Sequence, residues 1–175
     1  MTADQRFAWQ RPDVLSYEMP IDRDLTLAGP VTANLVVTTT GTDADFVVKL
    51  IDVYPDSAKN GPETAAGVQM SGYQMMVRGD IFRARYRTGF STPTAMKPNK
   101  PETVRFTLTD VNHTFKKGHR LMVQVQSSWF PLADRNPQQF INVYTAKDSD
   151  FRTATHTVLR NAQNSSFIEV GVLSR

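Results

Sequence analysis

The stretch that decides the fold is Phe46-Val47-Val48-Lys49-Leu50-Ile51-Asp52-Val53-Tyr54. Successive side chains of an extended chain point to opposite faces, so Val48 and Leu50 share one face. The other face carries Val47, Ile51 and Val53. A short run that is apolar on both faces is typical of a central strand covered on both sides. We therefore expect a sheet with a layer packed against each of its faces.

Other segments of the chain alternate apolar and polar residues with period two, and turn-forming glycines separate them. Thr, Val and Ile supply 41 of the 175 residues, and their branched side chains favour strands over helices. The sequence therefore predicts an all-β fold of about eight or more strands in two sheets, a β-sandwich of the jelly-roll kind. The alternating runs are Val31–Thr38, Thr103–Leu108, Leu121–Gln126 and Ile168–Val172, and the predicted core residues are Val48, Leu50, Phe106, Leu121, Val123 and Val170. Helix is expected only as a single turn near Asp148–Thr153.

Length and composition exclude several classes of protein. No linker, repeat or low-complexity block interrupts the 175 residues, so we expect one domain over residues 1–175. The absence of cysteine excludes disulfides, thiolate zinc sites and a cysteine nucleophile. A formal charge of +3 is too small for a nucleic-acid groove, and no apolar run approaches the roughly 20 residues of a membrane span.

No catalytic motif emerges from the chain. A G-x-S-x-G nucleophile elbow is absent, since Ser71 lacks a glycine two residues before it, and no phosphate-binding glycine loop is present. His113 and His119 flank a glycine turn, where two nearby lysines oppose a cation, so we interpret them as hydrogen-bonded turn residues. Asp43 and Asp45 alone are too few for a calcium site. We predict no catalytic residue, metal or cofactor.

Two features rise above this background. In a strand, Arg83, Arg85 and Arg87 would share one face, with Arg78 nearby, and they would pair with an acidic partner surface or with local carboxylates. The loop Ser127–Pro137 sets Trp129 and Phe130 among prolines, which predicts a rigid surface covered by the domain's own loops, a sugar or a second domain.

At this loop the chain resembles a known family. The run Gly118-His119-Arg120-Leu121-Met122-Val123-Gln124-Val125-Gln126-Ser127-Ser128-Trp129-Phe130-Pro131-Leu132, followed by Asp134-Arg135-Asn136-Pro137, is similar to the C-terminal domain of the X-prolyl dipeptidyl-peptidase-like serine hydrolases, which include cocaine esterase, glutaryl-7-aminocephalosporanic acid acylase and the α-amino acid ester hydrolases. Segments 39–56 and 72–79 agree with the same family in the same order.

The resemblance implies a galactose-binding-domain-like jelly roll that packs against an α/β-hydrolase domain and a helical cap. In the family the hydrolase part carries the catalytic serine, aspartate, histidine and oxyanion tyrosine, and none of these motifs matches a position here. The parent would hydrolyse esters or amides, or transfer acyl or α-aminoacyl groups, while this domain stabilises the scaffold and helps wall the active-site cleft. The residues expected to dock are Arg78, Arg83, Arg85, Arg87, Trp129, Phe130, Asp134 and Arg135.

The alternative is a free-standing carbohydrate-binding module, which would need aromatic faces on a concave sheet. The most prominent aromatics, Trp129 and Phe130, lie instead in a proline-flanked loop, and this placement favours the accessory domain. The expected partners are the hydrolase and cap domains, with no nucleic acid and no membrane. The parent's substrate, its compartment and whether it forms a homo-oligomer stay open. Fold analogy alone does not establish function.

Overall fold

The computed structural model describes residues 4–173, and the ends of the predicted domain, residues 1–3 and 174–175, lie outside the described residues. The described part contains eight strands: β1 (Val14–Pro20), β2 (Leu25–Thr39), β3 (Asp45–Val53), β4 (Gln74–Arg83), β5 (Glu102–Phe115), β6 (Arg120–Gln126), β7 (His156–Val158) and β8 (Phe167–Val172). Its helical segments are the three 3-10 turns Ala84–Tyr86, Val143–Thr145 and Asp148–Asp150. The predicted all-β fold is confirmed. None of the helices in residues 4–173 is long and apolar enough to cross a membrane.

The strands form two antiparallel sheets that face each other. The first sheet has the order β1-β6-β3-β4. The second has the order β5-β2-β7, and β8 pairs with the same edge of β2 as β7 does. Strand β2 is 15 residues long, which lets it accept both short strands along one edge. The arrangement is the two-layer sandwich that the alternating runs predict.

Strand β3 lies inside the first sheet with every residue buried, as its apolar character on both faces predicts. Val48 and Leu50 belong to the main core between the sheets. On the outer face Ile51 and Val53 pack with Met122 of β6 in a second, smaller cluster. A strand buried on both faces needs a third layer, and the residues before β1 supply part of that layer.

The N-terminal segment 4–13 crosses the outer face of the first sheet in a series of tight turns. Gln5 N–H donates to Gln74 O at 2.8 Å, and Asp4 forms an isolated bridge with Met75. The Arg6 guanidinium donates to the carbonyls of Gln69 and Ser71 at 3.1 and 3.0 Å. These bonds hold the segment against the start of the edge strand β4, and from there Gln5 reaches Lys49 of the inner strand β3.

The predicted core residues all contact the main core, but they are buried to different degrees. Val48, Leu50 and Phe106 are buried. Leu121, Val123 and Val170 are only partly buried, because they line a gap of about 400 Å³ between the sheets, bordered by β1, β6 and β8. The main core is therefore less completely filled on that side of the sandwich.

Candidate functional site

The predicted row of arginines does not form a strand face, and this part of the sequence prediction is wrong. Strand β4 ends at Arg83, and Ala84–Tyr86 form a 3-10 turn. The backbone turns because Ala84 N–H donates to Ala44 O at 2.8 Å, while Arg87 N–H donates back to Ala84 O at 3.0 Å. The three guanidiniums consequently reach three different carboxylates of this same chain.

Two of these arginines belong to a buried ionic cluster at the start of β3. Arg83 Nε and Nη2 donate to the two carboxylate oxygens of Asp45 at 2.8 and 2.9 Å, and this bidentate bonding raises the pKa of Arg83. Arg85 Nε donates to Asp43 Oδ2 at 2.7 Å. Asn136 Nδ2 donates to both aspartates, at 3.1 Å to Asp43 and 2.8 Å to Asp45. The cluster therefore ties the loop after β6 to the start of β3 and the end of β4.

The other two predicted arginines bind separate segments. Arg87 Nε donates to Glu102 Oε2 at 2.6 Å, and Arg87 also donates to the carbonyls of Thr94 and Ala95. Arg78 Nη2 donates to Asp110 O of β5 at 2.7 Å. Arg83, Arg85 and Arg87 therefore pair with local carboxylates, which is one of the two interpretations that the sequence leaves open.

Trp129 is not a projecting side chain but a half-buried one that rests in a slot of the sheet. A Cβ atom built on Gly79 of β4 would lie 2.9 Å from Trp129 Cη2, closer than carbon atoms approach in a folded protein. The absence of a side chain at Gly79 therefore creates the space for the indole. Phe130, the next residue, is 64% exposed. The loop thus anchors itself with one aromatic ring and leaves the other free.

Lys49 lies directly beneath this loop. It is the cross-strand partner of Gly79 on one side and of Gln124 on the other, and only 1% of its surface is exposed. Its Nζ donates to Gln5 Oε1 at 2.7 Å and stands 5.4 Å from the Trp129 ring centroid and 5.8 Å from that of Phe7. Both rings are within the distance at which an aromatic face attracts a cation.

The buried ammonium of Lys49 has no carboxylate partner within salt-bridge distance among residues 4–173. Burial therefore lowers the pKa of Lys49 from 10.5 to about 8, and the nearby positive charge of Arg11 adds to the effect. Gln126, also buried, lines the same space with a side-chain oxygen that has no hydrogen-bond partner among the described residues. The Lys49 ammonium and the Gln126 amide form a polar floor, and the rings of Phe7 and Trp129 lie over it.

The space above this floor, which we call the Lys49 pocket, has a volume of about 640 Å³. The residues that line it come from the N-terminal segment, β3, β6 and the loop after β6: Gln5, Phe7, Arg11, Lys49, Gln126, Ser128, Trp129, Phe130, Pro131 and Leu132. Its apolar rim is open, since Phe7, Phe130 and Leu132 are each 60% or more exposed. Large apolar side chains grouped in this way mark a contact surface.

Asp134 and Arg135 follow this rim along the loop and are both exposed. The Asp134 carbonyl accepts a hydrogen bond from Arg83 Nη2 at 3.2 Å. The Arg135 guanidinium lies 5.8 Å from the Phe130 ring centroid and 4.9 Å from that of Phe151. The loop residues of the predicted docking set therefore lie together, whereas Arg78 and Arg87 contact other parts of the domain.

The two histidines of the β5–β6 turn share one carboxylate. His113 Nε2 lies 2.9 Å from Asp52 Oδ2, and His119 Nδ1 lies 2.8 Å from Asp52 Oδ1. Tyr54 packs on the His119 ring at 4.5 Å, and burial together with the Asp52 charge raises the pKa of this tyrosine. The arrangement is the hydrogen-bonded turn that the sequence favours over a metal site. Within residues 4–173 no group of three or more His, Cys, Asp or Glu side chains is placed so that it could hold a metal ion.

A second open cleft, of about 790 Å³, runs between the edges of β4 and β5. Its walls combine aromatic rings with polar groups: Phe82 stacks on Phe106, Tyr86 packs against Phe90, and Asp80 and Arg105 line the same space. Sequence analysis missed this cleft, and it also missed the Lys49 pocket. The signal for the latter was a lysine between the apolar residues Val48 and Leu50.

Comparison with known proteins identifies the domain. The X-Pro dipeptidyl-peptidase C-terminal non-catalytic domain family matches residues 8–169. Cocaine esterase from Rhodococcus sp. (strain MB1 Bresler) is 31% identical over 174 residues, which cover 99% of this chain and 28% of the esterase. An aminopeptidase from a marine sediment Thaumarchaeota archaeon has a TM-score of 0.90 and 45% identity over 98% of this chain and 27% of its own. An α-amino acid ester hydrolase has a TM-score of 0.88 and 46% identity, over 97% and 27% of the two chains.

The chain thus spans a little over a quarter of the length of each of these proteins. The family match extends over nearly all the described strands, and both solved relatives share the two-sheet architecture closely. The protein belongs to the family of X-Pro dipeptidyl-peptidase C-terminal non-catalytic domains.

Proposed function

We propose that this domain serves as the scaffold-stabilising, non-catalytic part of a longer serine hydrolase that acts on esters or amides of small acyl or aminoacyl groups. The observation that carries the proposal is the exposed apolar rim of Phe7, Phe130 and Leu132, on a domain whose relatives are esterases, ester hydrolases and peptidases more than three times its length. Contact surfaces between domains of one chain bury roughly 600–1,500 Å² and favour aromatic side chains. The hydrolase and cap domains are the proposed cover of this rim.

The position of the N-terminal segment favours the apolar rim, rather than another face of the domain, as the surface that contacts the hydrolase part. The family is a C-terminal domain, so a preceding hydrolase domain would connect at the start of residues 4–13. These residues form one wall of the Lys49 pocket and supply Phe7 to its rim. The covalent connection would therefore hold the hydrolase part close to the exposed aromatics.

The ionic cluster supports a rigid docking loop. Asn136 binds Asp43 and Asp45, and Arg85 Nη1 donates to the Ile141 carbonyl at 2.8 Å, so the loop after β6 is fastened at its far end. A fastened loop loses little conformational freedom when it is covered, and this lowers the cost of association. Such a loop is also suited to form part of the wall of an active-site cleft.

The experiment compares two variants in the full-length hydrolase and in the isolated domain. The double substitution Phe130→Ser with Leu132→Ser should lower the melting temperature and the thermal half-life of esterase activity in the full-length protein. It should leave the isolated domain almost unchanged, because both side chains are already exposed there. Tyr144→Ser is the matched control, since Tyr144 is 88% exposed but lies in the second cleft. Equal melting temperatures for all three full-length proteins would contradict the docking role.

The proposed contribution to the cleft wall has a separate test. If Phe130 faces the substrate, Phe130→Ser should change KM for esters with a bulky acyl group more than KM for acetyl esters. A uniform effect on both substrates would limit the role of the loop to scaffold stability.

A carbohydrate-binding module is the second candidate, and the cleft between β4 and β5 is the observation that favours it. Phe90 and Tyr144 are 76% and 88% exposed there, beside Asp80, Arg105 and Thr107 as hydrogen-bonding groups. Titration of the isolated domain with neutral oligosaccharides, followed by NMR, tests this function. Chemical-shift changes that are confined to the cleft and lost in Phe90→Ser would support it, and the absence of any change would exclude it for the sugars tested.

A further inference from the structure

The Lys49 pocket contains a charge that the domain does not neutralise. A buried ammonium normally requires an ionic partner, because removal of its hydration shell costs several kcal/mol. Other cations of this domain have such partners: the partly buried Arg83 binds Asp45, and the buried Arg85 binds Asp43. Lys49 is more deeply buried than either arginine. Its ammonium contacts the amide oxygen of Gln5 and lies near the rings of Phe7 and Trp129, and none of these groups is a carboxylate.

The surroundings of Lys49 select for negative charge. Arg11 lines the same pocket, and its guanidinium adds a second cation near the floor. Among residues 4–173 the carboxylate that binds Arg11 is Asp13, at 2.6 and 2.9 Å, and this pair is largely exposed. An anion that entered between the aromatic rings would therefore meet the Lys49 ammonium in a partly dehydrated space, where ionic attraction is strong, with the Asp13-bound Arg11 at the exposed margin.

The pocket opening points to a protein segment as the source of that anion. Phe7, Phe130 and Leu132 surround the opening and are exposed, so the anion-binding floor lies at the centre of an apolar ring. The residues that contribute most to binding in protein interfaces lie near the centre, surrounded by contacts that exclude water. A small hydrophilic anion would leave this ring uncovered.

We infer that an acidic side chain of the preceding hydrolase part inserts between Phe7 and Trp129 and forms an ion pair with Lys49. The inference rests on the proposed docking function and adds the chemistry of the partner: an aspartate or glutamate on a segment that is otherwise apolar. The N-terminal segment, which would lead directly to the hydrolase part, places this partner next to the pocket.

The test is the substitution Lys49→Met in two settings, with Lys59→Met as control because Lys59 is exposed on a loop. Methionine keeps the length of the side chain and removes its charge. In the isolated domain at pH 7 the substitution should raise the melting temperature by several degrees, since holding the buried charge costs more than its hydrogen bond with Gln5 and its two ring contacts contribute. In the full-length hydrolase it should lower the melting temperature, because it leaves the acidic partner buried without a cation. Lys59→Met should change neither value.

Each outcome of this test either supports or overturns the ion pair with Lys49. Opposite signs in the two settings support the inference. A rise in both settings overturns it, since no carboxylate then meets Lys49. No rise in the isolated domain also overturns it, because the charge would already be compensated within the domain. The double variant at Phe130 and Leu132 separates this failure from that of docking: if that variant destabilises the full-length hydrolase while Lys49→Met stabilises it, docking stands and only the ion pair is excluded.

Discussion

The buried charge of Lys49 should give the isolated domain an unusual dependence of stability on pH. The folded domain lowers the pKa of Lys49 from 10.5 to about 8 through burial and the charge of Arg11. At about 1.4 kcal/mol per pKa unit this difference corresponds to roughly 3 kcal/mol of penalty for holding the ammonium in the folded state. Below about pH 7 both the folded and the unfolded chain keep the proton, and the whole penalty is present.

Between pH 8 and pH 10.5 the folded domain releases the Lys49 proton while the unfolded chain still holds it. The unfolded state then binds more protons, so the contribution of Lys49 to the free energy of unfolding rises with pH in this window. Above about pH 11 both states are neutral at this residue and the penalty is gone. Lys49→Met carries no such charge and should therefore lack this rise.

Urea denaturation of the wild type and of Lys49→Met, repeated at intervals from pH 7 to pH 10.5, measures the effect. Other lysines and tyrosines titrate in the same range, but they are common to both proteins and cancel in the difference. We expect the free energy of unfolding of the variant, relative to wild type, to fall by about 2–3 kcal/mol across the series. Methionine also loses the Gln5 hydrogen bond and the contacts with the two rings. That loss shifts the whole curve without changing its slope. A difference that stays flat from pH 7 to pH 10.5 would refute the reasoning.

Three further outcomes are expected. Gly79→Ala should displace the Trp129 indole, shift tryptophan fluorescence and cost about 1–3 kcal/mol of stability, since the new methyl group would lie 2.9 Å from the ring. Unchanged fluorescence and stability would contradict the close contact between Gly79 and the indole. Asp43→Ala should lower the free energy of unfolding in urea by about 3–5 kcal/mol, because it leaves buried Arg85 without its carboxylate. Glu169→Ala, which breaks the exposed pair with Arg105, should lower it by less than about 1 kcal/mol. Equal losses would contradict the argument that burial makes the first pair more important. The isolated domain should show no esterase turnover on p-nitrophenyl acetate, since it has no nucleophile elbow, and stoichiometric labelling of one serine by a phosphonate inhibitor would contradict this.

The sheet architecture was predictable because its signals are local in the sequence. The alternation of side chains along β3 and β6 is a property of neighbouring residues, and it sets which face each side chain occupies. Gly118 marks the turn between β5 and β6 and adopts a positive φ of 86°, a conformation that glycine adopts readily. Two sheets and a core follow from these patterns with no knowledge of distant contacts.

The arginines and Lys49 were decided only by the tertiary structure. Period two places Arg83, Arg85 and Arg87 on one face as long as the strand continues, but the chain turns after Arg83 at the buried aspartates that begin β3. Lys49 is covered by Gln5, which lies 44 residues earlier in the chain, and by Trp129, which lies much later. Ionic pairing and burial depend on which distant segments meet across the sheets. Side-chain periodicity specifies a face, whereas the partners on that face are set by the packing of the whole chain.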